Sequence, residues 1–287
     1  MLITGIVGYP LKSTLSPTLH HAAFRSSGIH GVYIALPVKP EHLKETMLRV
    51  RHKNFRGVNI TIPHKETVLE FIDATSTEVN AIQAANTIVV EENQLVAYNT
   101  DSYGFQKSLK EYKINITNMN VLIIGAGGVG RACAHVISSM KPRRFYIANR
   151  HYKRAKEVAA LFGAEPVAVS QLNNLVRNGM HLVVNATSID LHKDMLPLLK
   201  DRAIYYDVNY RFRYKNNSAL IINGLLMLVL QAARSFFLWT NCVAPVETMK
   251  LAAGLPVVNH YGQADNTQVV NDLRMLCSSV QKSFLFK

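Results

Sequence analysis

The stretch NVLIIGAGGVGRACA, residues 120–134, decides the fold. Asn120 to Ile124 is an apolar run of strand length, Gly125 to Gly130 follows the pattern G-x-G-x-x-G, and Arg131 to Met140 reads as a helix opening with the small residues Ala132 and Ala134. Such a turn suits a pyrophosphate. The first glycine allows the tight turn, the second lets backbone approach the phosphates, the third permits close packing, and the helix start offers free N–H groups. A glycine-rich strand-to-helix connection with no ligand has the same outline.

Working outward, strand Arg144 to Ala148, helix Lys153 to Phe162, and strands His181 to Asn185 and Ala203 to Val208 continue the alternation, which predicts a doubly wound, Rossmann-type unit. Helix Tyr103 to Tyr112 precedes it. Upstream, strands Ile3 to Gly8, Gly31 to Pro37, Gly57 to Ile62 and Asn86 to Val90 alternate with helices Pro17 to Ser26, Pro40 to Val50 and Lys65 to Ile72. Downstream, Ala219 to Trp239 and Pro245 to Ala253 read as helices, and Val269, Leu273, Leu276 and Val280 keep helical spacing. The predicted fold class is α/β with two α/β domains: a ligand-binding domain over 1–101, the Rossmann-type domain over 102–235, and C-terminal helices over 236–287 that return to the first domain.

The composition excludes several function classes. The chain has 287 residues, 48% of them hydrophobic and 18% charged, which suits two buried cores. The formal net charge is +13, yet the basic residues are dispersed among acids and no nucleic-acid motif accompanies them. A solvated basic surface is the better reading, attraction of small anions is the functional alternative, and no nucleic-acid partner is expected. Cys133, Cys242 and Cys277 lie far apart with no C-x-x-C pair, so neither a disulfide framework nor a zinc or other metal site is encoded, and a reducing cytoplasm is expected. The first ten residues read as a strand and not as a signal peptide, and Ala219 to Ala233 is too short to span a bilayer.

Chemistry enters with RGVNITIPHK, residues 56–65. Val58, Ile60 and Ile62 alternate with Asn59 and Thr61, giving a strand with one apolar and one hydrogen-bonding face; Pro63 ends it, suits the first turn of the following helix, and leaves Lys65 near the strand's carboxyl end. Three more segments bring polar residues to strand ends or loops: STLSP (13–17), AANT (84–87) and YNTD (98–101). Hydroxyls and amides both donate and accept, so the set suits a polyhydroxylated small molecule. Each also has a local structural use, such as helix capping by Ser16 or Asp101.

The cofactor type is set at the end of the strand after the glycine turn. It reads ANRHYKR, residues 148–154, with no acid to take ribose hydroxyls and with Arg150 and Arg154 available for a ribose 2'-phosphate, so NADP is favoured over NAD. Arg150 is the stronger candidate, since its planar fork can bind phosphate and stack on adenine.

Taken together, the segments GYPLKSTLSP (8–17), GVNITIPHK (57–65), AANT, YNTD, GAGGVGRA (125–132), NRHYKRA (149–155), NATS (185–188) and GLLMLVLQAARSFFLW (224–239) resemble the shikimate dehydrogenase family, which includes shikimate and quinate dehydrogenases. The resemblance implies reversible reduction of 3-dehydroshikimate to shikimate with NADPH, by a soluble monomer or homodimer. It implies a catalytic pair, Lys65 and Asp101, and substrate contacts from Thr14, Ser16, Asn59, Thr61, Asn86, Tyr210 and Gln231. On the cofactor side it implies Gly125, Ala126, Gly127, Gly128, Val129, Gly130, Asn149, Arg150, Arg154, Thr187, Val208 and Gly224. The chain departs from the family pattern at Thr14, usually serine; at Asp190, usually glycine; and at His151, usually threonine. Gln83, Ala97, Phe212 and Lys215 depart as well. A quinate/shikimate dehydrogenase, a paralogue acting on a related cyclic hydroxy acid, and a non-catalytic ligand sensor are the alternatives.

Overall fold

The computed structural model describes residues 1–11, 14–211 and 220–256. It divides into two compact units, Met1–Thr100 with the chain from Val229 onward, and Asp101–Leu228. The return crossing lies inside a helix, a few residues before the expected boundary at 235, because the helix residues from Val229 on pack with the first unit.

The first unit holds strands β1 (Leu2–Gly8), β2 (Gly31–Pro37), β3 (Phe55–Ile60), β4 (Ala74–Thr75), β5 (Thr87–Glu91) and β6 (Gln94–Tyr98), in the order β2-β1-β3-β5-β6-β4. β2, β1 and β3 are parallel, whereas β5 runs antiparallel to both β3 and β6. Its helices are α1 (Ser16–Ser26), α2 (Leu43–His52) and α3 (Thr77–Ile82). Strand β3 is central in the sheet, and its residues Gly57 to Ile60 are all buried, so both of its faces are covered. Val58 and Ile60 join Val7, Leu43, Met47 and Ile88 in one core, and Asn59 is buried on the other side. The hydrogen-bonding face is therefore internal, and the strand stops at Ile60, leaving Ile62 59% exposed.

Segment 65–72 is not the expected α-helix. A turn carries Pro63 to Lys65, and only Thr67–Phe71 is helical, as a 3-10 turn, so Pro63 stands outside any helix. The run is too short to propagate α-helical bonds, and it closes instead through Val68 N–H to His64 O and Leu69 N–H to Glu66 O.

The second unit begins with α4 (Thr100–Glu111), whose first residue belongs to the first unit. Its strands are β7 (Asn120–Ile124), β8 (Arg144–Ala148), β9 (Glu165–Val167), β10 (Leu182–Asn185), β11 (Ile204–Asp207) and β12 (Leu220–Asn223). Helices α5 (Gly128–Ser139), α6 (Tyr152–Phe162), α7 (Leu172–Arg177) and α8 (His192–Met195) separate them. The sheet is wholly parallel in the order β12-β11-β10-β7-β8-β9. Alternate residues feed opposite cores: Val121, Ile123, Ile147 and Val184 on one face, Leu122, Ala148, Val183 and Tyr205 on the other. The order reverses beside β7, the place where such sheets bind ligands outside their carboxyl ends.

The expected helix over 219–239 is split. Leu220–Asn223 is β12, and Gly224 separates it from α9 (Leu225–Thr240). In the first unit α10 (Val246–Ala253) packs against α1, where the Ser26 and Thr248 hydroxyls lie 3.3 Å apart. Phe212, Lys215, Cys277 and the helical spacing over 269–280 lie outside the described residues. Among the described residues, no helix is long and apolar enough to cross a membrane.

Candidate active site

Lys65 is held by its own backbone. The chain leaves β3 through Thr61, whose N–H donates to Val7 O at 2.9 Å, and turns with His64 N–H on Thr61 O, while the His64 Nε2 lies 2.7 Å from Val38 O. Lys65 follows, 8% exposed, and its carbonyl accepts the Ala85 N–H at 2.8 Å. The turn thereby fixes the lysine beside the residue preceding Asn86. Thr61 packs on Gly8, where a Cβ would stand 2.3 Å from the Thr61 methyl.

Asn86 organises the next part. Its Oδ1 accepts the Thr100 backbone N–H at 2.6 Å, which turns its amino group toward Thr100 Oγ1 at 2.9 Å and Gln231 Oε1 at 3.2 Å. The Gln231 oxygen faces Asn86, so its amino side is turned away as a donor. Thr87, Thr100 and Ser235 complete a buried hydroxyl cluster, with oxygens 2.9 to 3.2 Å apart. Asp101, the residue after Thr100, is buried in the first turn of α4.

Thr14 and Ser16 form a small turn: the Thr14 hydroxyl donates to Ser16 Oγ at 3.1 Å and accepts the Ser16 N–H at 3.2 Å. Asn59, expected among the substrate contacts, has both ends of its amide bonded within the protein. Its Oδ1 accepts from the Tyr33 hydroxyl at 2.8 Å, and its Nδ2 donates to Asn86 O, Thr87 Oγ1 and Ser235 Oγ at 3.0 to 3.1 Å. The side chain is 5% exposed, so its polar atoms are satisfied by these partners. Tyr33, Thr87, Thr100 and Ser235 were not singled out from the sequence. Thr87 and Thr100 lie inside the quoted motifs and Ser235 is one helical turn after Gln231, but nothing in sequence marks Tyr33.

In the second unit the expected cofactor residues gather at the carboxyl ends of β7, β8, β10, β11 and β12. Gly125 adopts φ +117°, and a Cβ there would stand 2.8 Å from Ala186 O. At Gly130 a Cβ would stand 2.0 Å from Gly125 O, so only glycine lets α5 approach the turn. At Gly127 a Cβ would meet nothing, which leaves backbone open to a phosphate at the start of α5. Gly128 and Val129 follow in its first turn, half-buried. The cradle therefore fits a dinucleotide.

Asn149 Oδ1 accepts the Ala126 N–H at 3.3 Å and joins the turn to the end of β8, where Arg150 is exposed and Arg154 half-buried. Thr187 Oγ1 donates to Asn185 Oδ1 at 2.7 Å, and Asn209 Nδ2 donates to Thr187 O at 2.8 Å. Val208 N–H donates to Asn185 O at 3.0 Å, and a Cβ on Gly224 would stand 2.0 Å from Val208 O, so these three loops are tightly stacked. Tyr210 is half-buried just past β11. Asp190 closes a short turn ahead of α8: its carboxylate accepts the His192 N–H at 3.2 Å and pairs with His192 Nδ1. Slight burial raises the Asp190 carboxyl, but the His192 bonds outweigh it and hold the group below its ordinary range.

Three family models match the chain: the shikimate dehydrogenase substrate binding domain over residues 6–88, shikimate / quinate 5-dehydrogenase over 107–196, and the shikimate 5'-dehydrogenase C-terminal domain over 224–253. The shikimate dehydrogenase (NADP(+)) of Carboxydothermus hydrogenoformans is 37% identical over 275 residues, 88% of this chain and 96% of that protein. That of Pyrococcus furiosus is 36% identical over 262 residues, covering 88% and 94%. Among solved structures, shikimate 5-dehydrogenase from Thermus thermophilus, in complex with NADP(H) and shikimate, superposes with a TM-score of 0.79 at 33% identity, covering 88% of this chain and 99% of that one. Aligned over nearly the whole length of such relatives, the chain belongs to the shikimate dehydrogenase family.

Proposed function

We propose that the protein is an NADP-dependent shikimate dehydrogenase that reversibly reduces the 3-keto group of 3-dehydroshikimate to shikimate. The observation that carries this reading is the buried Lys65 turn bonded beside Asn86, within a family whose relatives bear that name.

The nicotinamide of a bound NADPH supplies the hydride. As it arrives, negative charge builds on the carbonyl oxygen, and the Lys65 ammonium stabilises that charge and hands over a proton: one N–H bond breaks, the new O–H forms, and solvent restores the lysine. In the reverse direction Lys65 takes the hydroxyl proton as the hydride leaves. Asp101 holds the ammonium in place. Thr61, Asn86 and Gln231 bind ring hydroxyls, and Thr14, Ser16 and Tyr210 bind the carboxylate. The turn Gly125 to Gly130, with Asn149, receives the pyrophosphate, Arg150 and Arg154 take the 2'-phosphate, and Thr187, Val208 and Gly224 border the cofactor. The three cysteines, far apart in sequence with no C-x-x-C pair, favour a reducing compartment, the cytoplasm.

A second reading, a quinate/shikimate dehydrogenase, follows from Thr14, whose methyl group, absent from the usual serine, alters the space in the carboxylate loop. Turnover of shikimate and of quinate, each with NADP and with NAD, separates the two. Shikimate with NADP is expected to be fastest, and quinate outrunning shikimate overturns the assignment.

A further inference from the structure

We propose that Tyr33 and Asn59 form a positioning pair: the Tyr33 hydroxyl locks the Asn59 amide in one orientation, and Asn59 sets the spacing of Asn86 and Gln231 for the substrate. This rests on the reading of Asn86 and Gln231 as substrate residues.

The polarity follows from one obligate acceptor. Asn59 Nδ2 lies 3.1 Å from Asn86 O, a carbonyl that can only accept, so the amino group must face it and the amide oxygen must face Tyr33. Tyr33 is then the donor, at 2.8 Å. The two Nδ2 hydrogens are shared among Asn86 O, Thr87 Oγ1 and Ser235 Oγ. Asn59 on β3 thus bridges the start of β5 to α9, four residues from Gln231 on the same helical face.

The pair is shielded from water, with Tyr33 2% exposed, Asn59 5%, and Thr87 and Ser235 0%. The Tyr33 ring is held by stacking on His20, with centroids 4.3 Å apart. Burial pushes the Tyr33 phenol well above its ordinary range, against the opposing influence of the Ser16 hydroxyl beside it, so it remains a donor at any working pH. If the donor is removed, Asn59 cannot escape by flipping, since that would set its oxygen against Asn86 O. The unpaired oxygen then loosens the spacing of β5 and α9.

The test compares wild type, Tyr33→Phe, Asn59→Ala and the double variant in steady-state shikimate oxidation, with NADP dissociation constants from calorimetry. Tyr33→Phe should raise KM for shikimate about tenfold, keep kcat within about twofold, and leave NADP binding unchanged. In the Asn59→Ala background the same change should add nothing, because its effect runs through Asn59. Unchanged KM in Tyr33→Phe, kcat and KM falling together, or additive effects in the double variant overturns the pair. A wild type that does not oxidise shikimate overturns the functional reading itself, and the pair with it.

Discussion

The Trp239 indole fills the space that a side chain at Gly57 would need. A Cβ at 57 would stand 2.3 Å from Trp239 Nε1 and 2.1 Å from Ile88 O, the carbonyl to which that Nε1 donates at 3.0 Å. Arg56 Nε donates to Trp239 O at 2.9 Å, so β3, β5 and the end of α9 are pinned together. Gly57→Ala should lower stability by about 2 kcal/mol or more, through overpacking against backbone and a rigid ring. Urea unfolding measures the loss. Because α9 carries Gln231, KM for shikimate should rise while NADP affinity holds.

Acid should weaken the first unit through His20. It is fully buried, stacked on Tyr33 and 5.2 Å from the Trp239 ring, and its ring nitrogens have no hydrogen-bond partner among the described residues. Burial, aided by the neighbouring His21, lowers its pKa from 6.5 to about 3. The unfolded chain therefore binds a proton that the folded chain refuses between those values. The stability this histidine contributes is complete above the unfolded pKa and is lost as pH falls below it. Between about pH 7 and about pH 5 that loss is about 2 kcal/mol. His20→Phe should flatten the dependence, read from urea midpoints at the two pH values; an unchanged slope would refute it.

Cofactor choice should rest on Arg150. Exposed at the end of β8 beside Asn149, it meets no acid nearby in sequence. Arg150→Ala should weaken NADP binding about tenfold to a hundredfold, the worth of a charge-assisted pair, and barely move NAD. Calorimetric titration with both dinucleotides checks this, and equal losses for the two would contradict the assignment.

What the sequence revealed follows the strength of each local signal. The glycine turn was legible because close backbone approaches leave no other residue possible at Gly125 and Gly130. Strand β6 was missed although Glu92 and Asn93, both at positive φ, form a two-residue hairpin turn after β5; a glutamate is an unusual residue for that conformation. Strand β12 was hidden in an apolar run, where four strand residues and a buried helix look alike, and the mark was Gly224. The placement of Lys65 and Asn86 just outside strands β3 and β5 was readable from the alternation around them. The inward turn of Asn59 was not, since it depends on a sheet order that places β3 at the centre and on Tyr33 from a distant strand.

Reduced nicotinamide, followed by absorbance, should form when the purified protein meets shikimate and NADP. Wild type should turn over steadily, and Lys65→Ala should lose about a hundredfold to ten-thousandfold in kcat with its fold intact by circular dichroism. Turnover by wild type no faster than by Lys65→Ala would rule out Lys65 as the proton donor and, with it, the proposed activity.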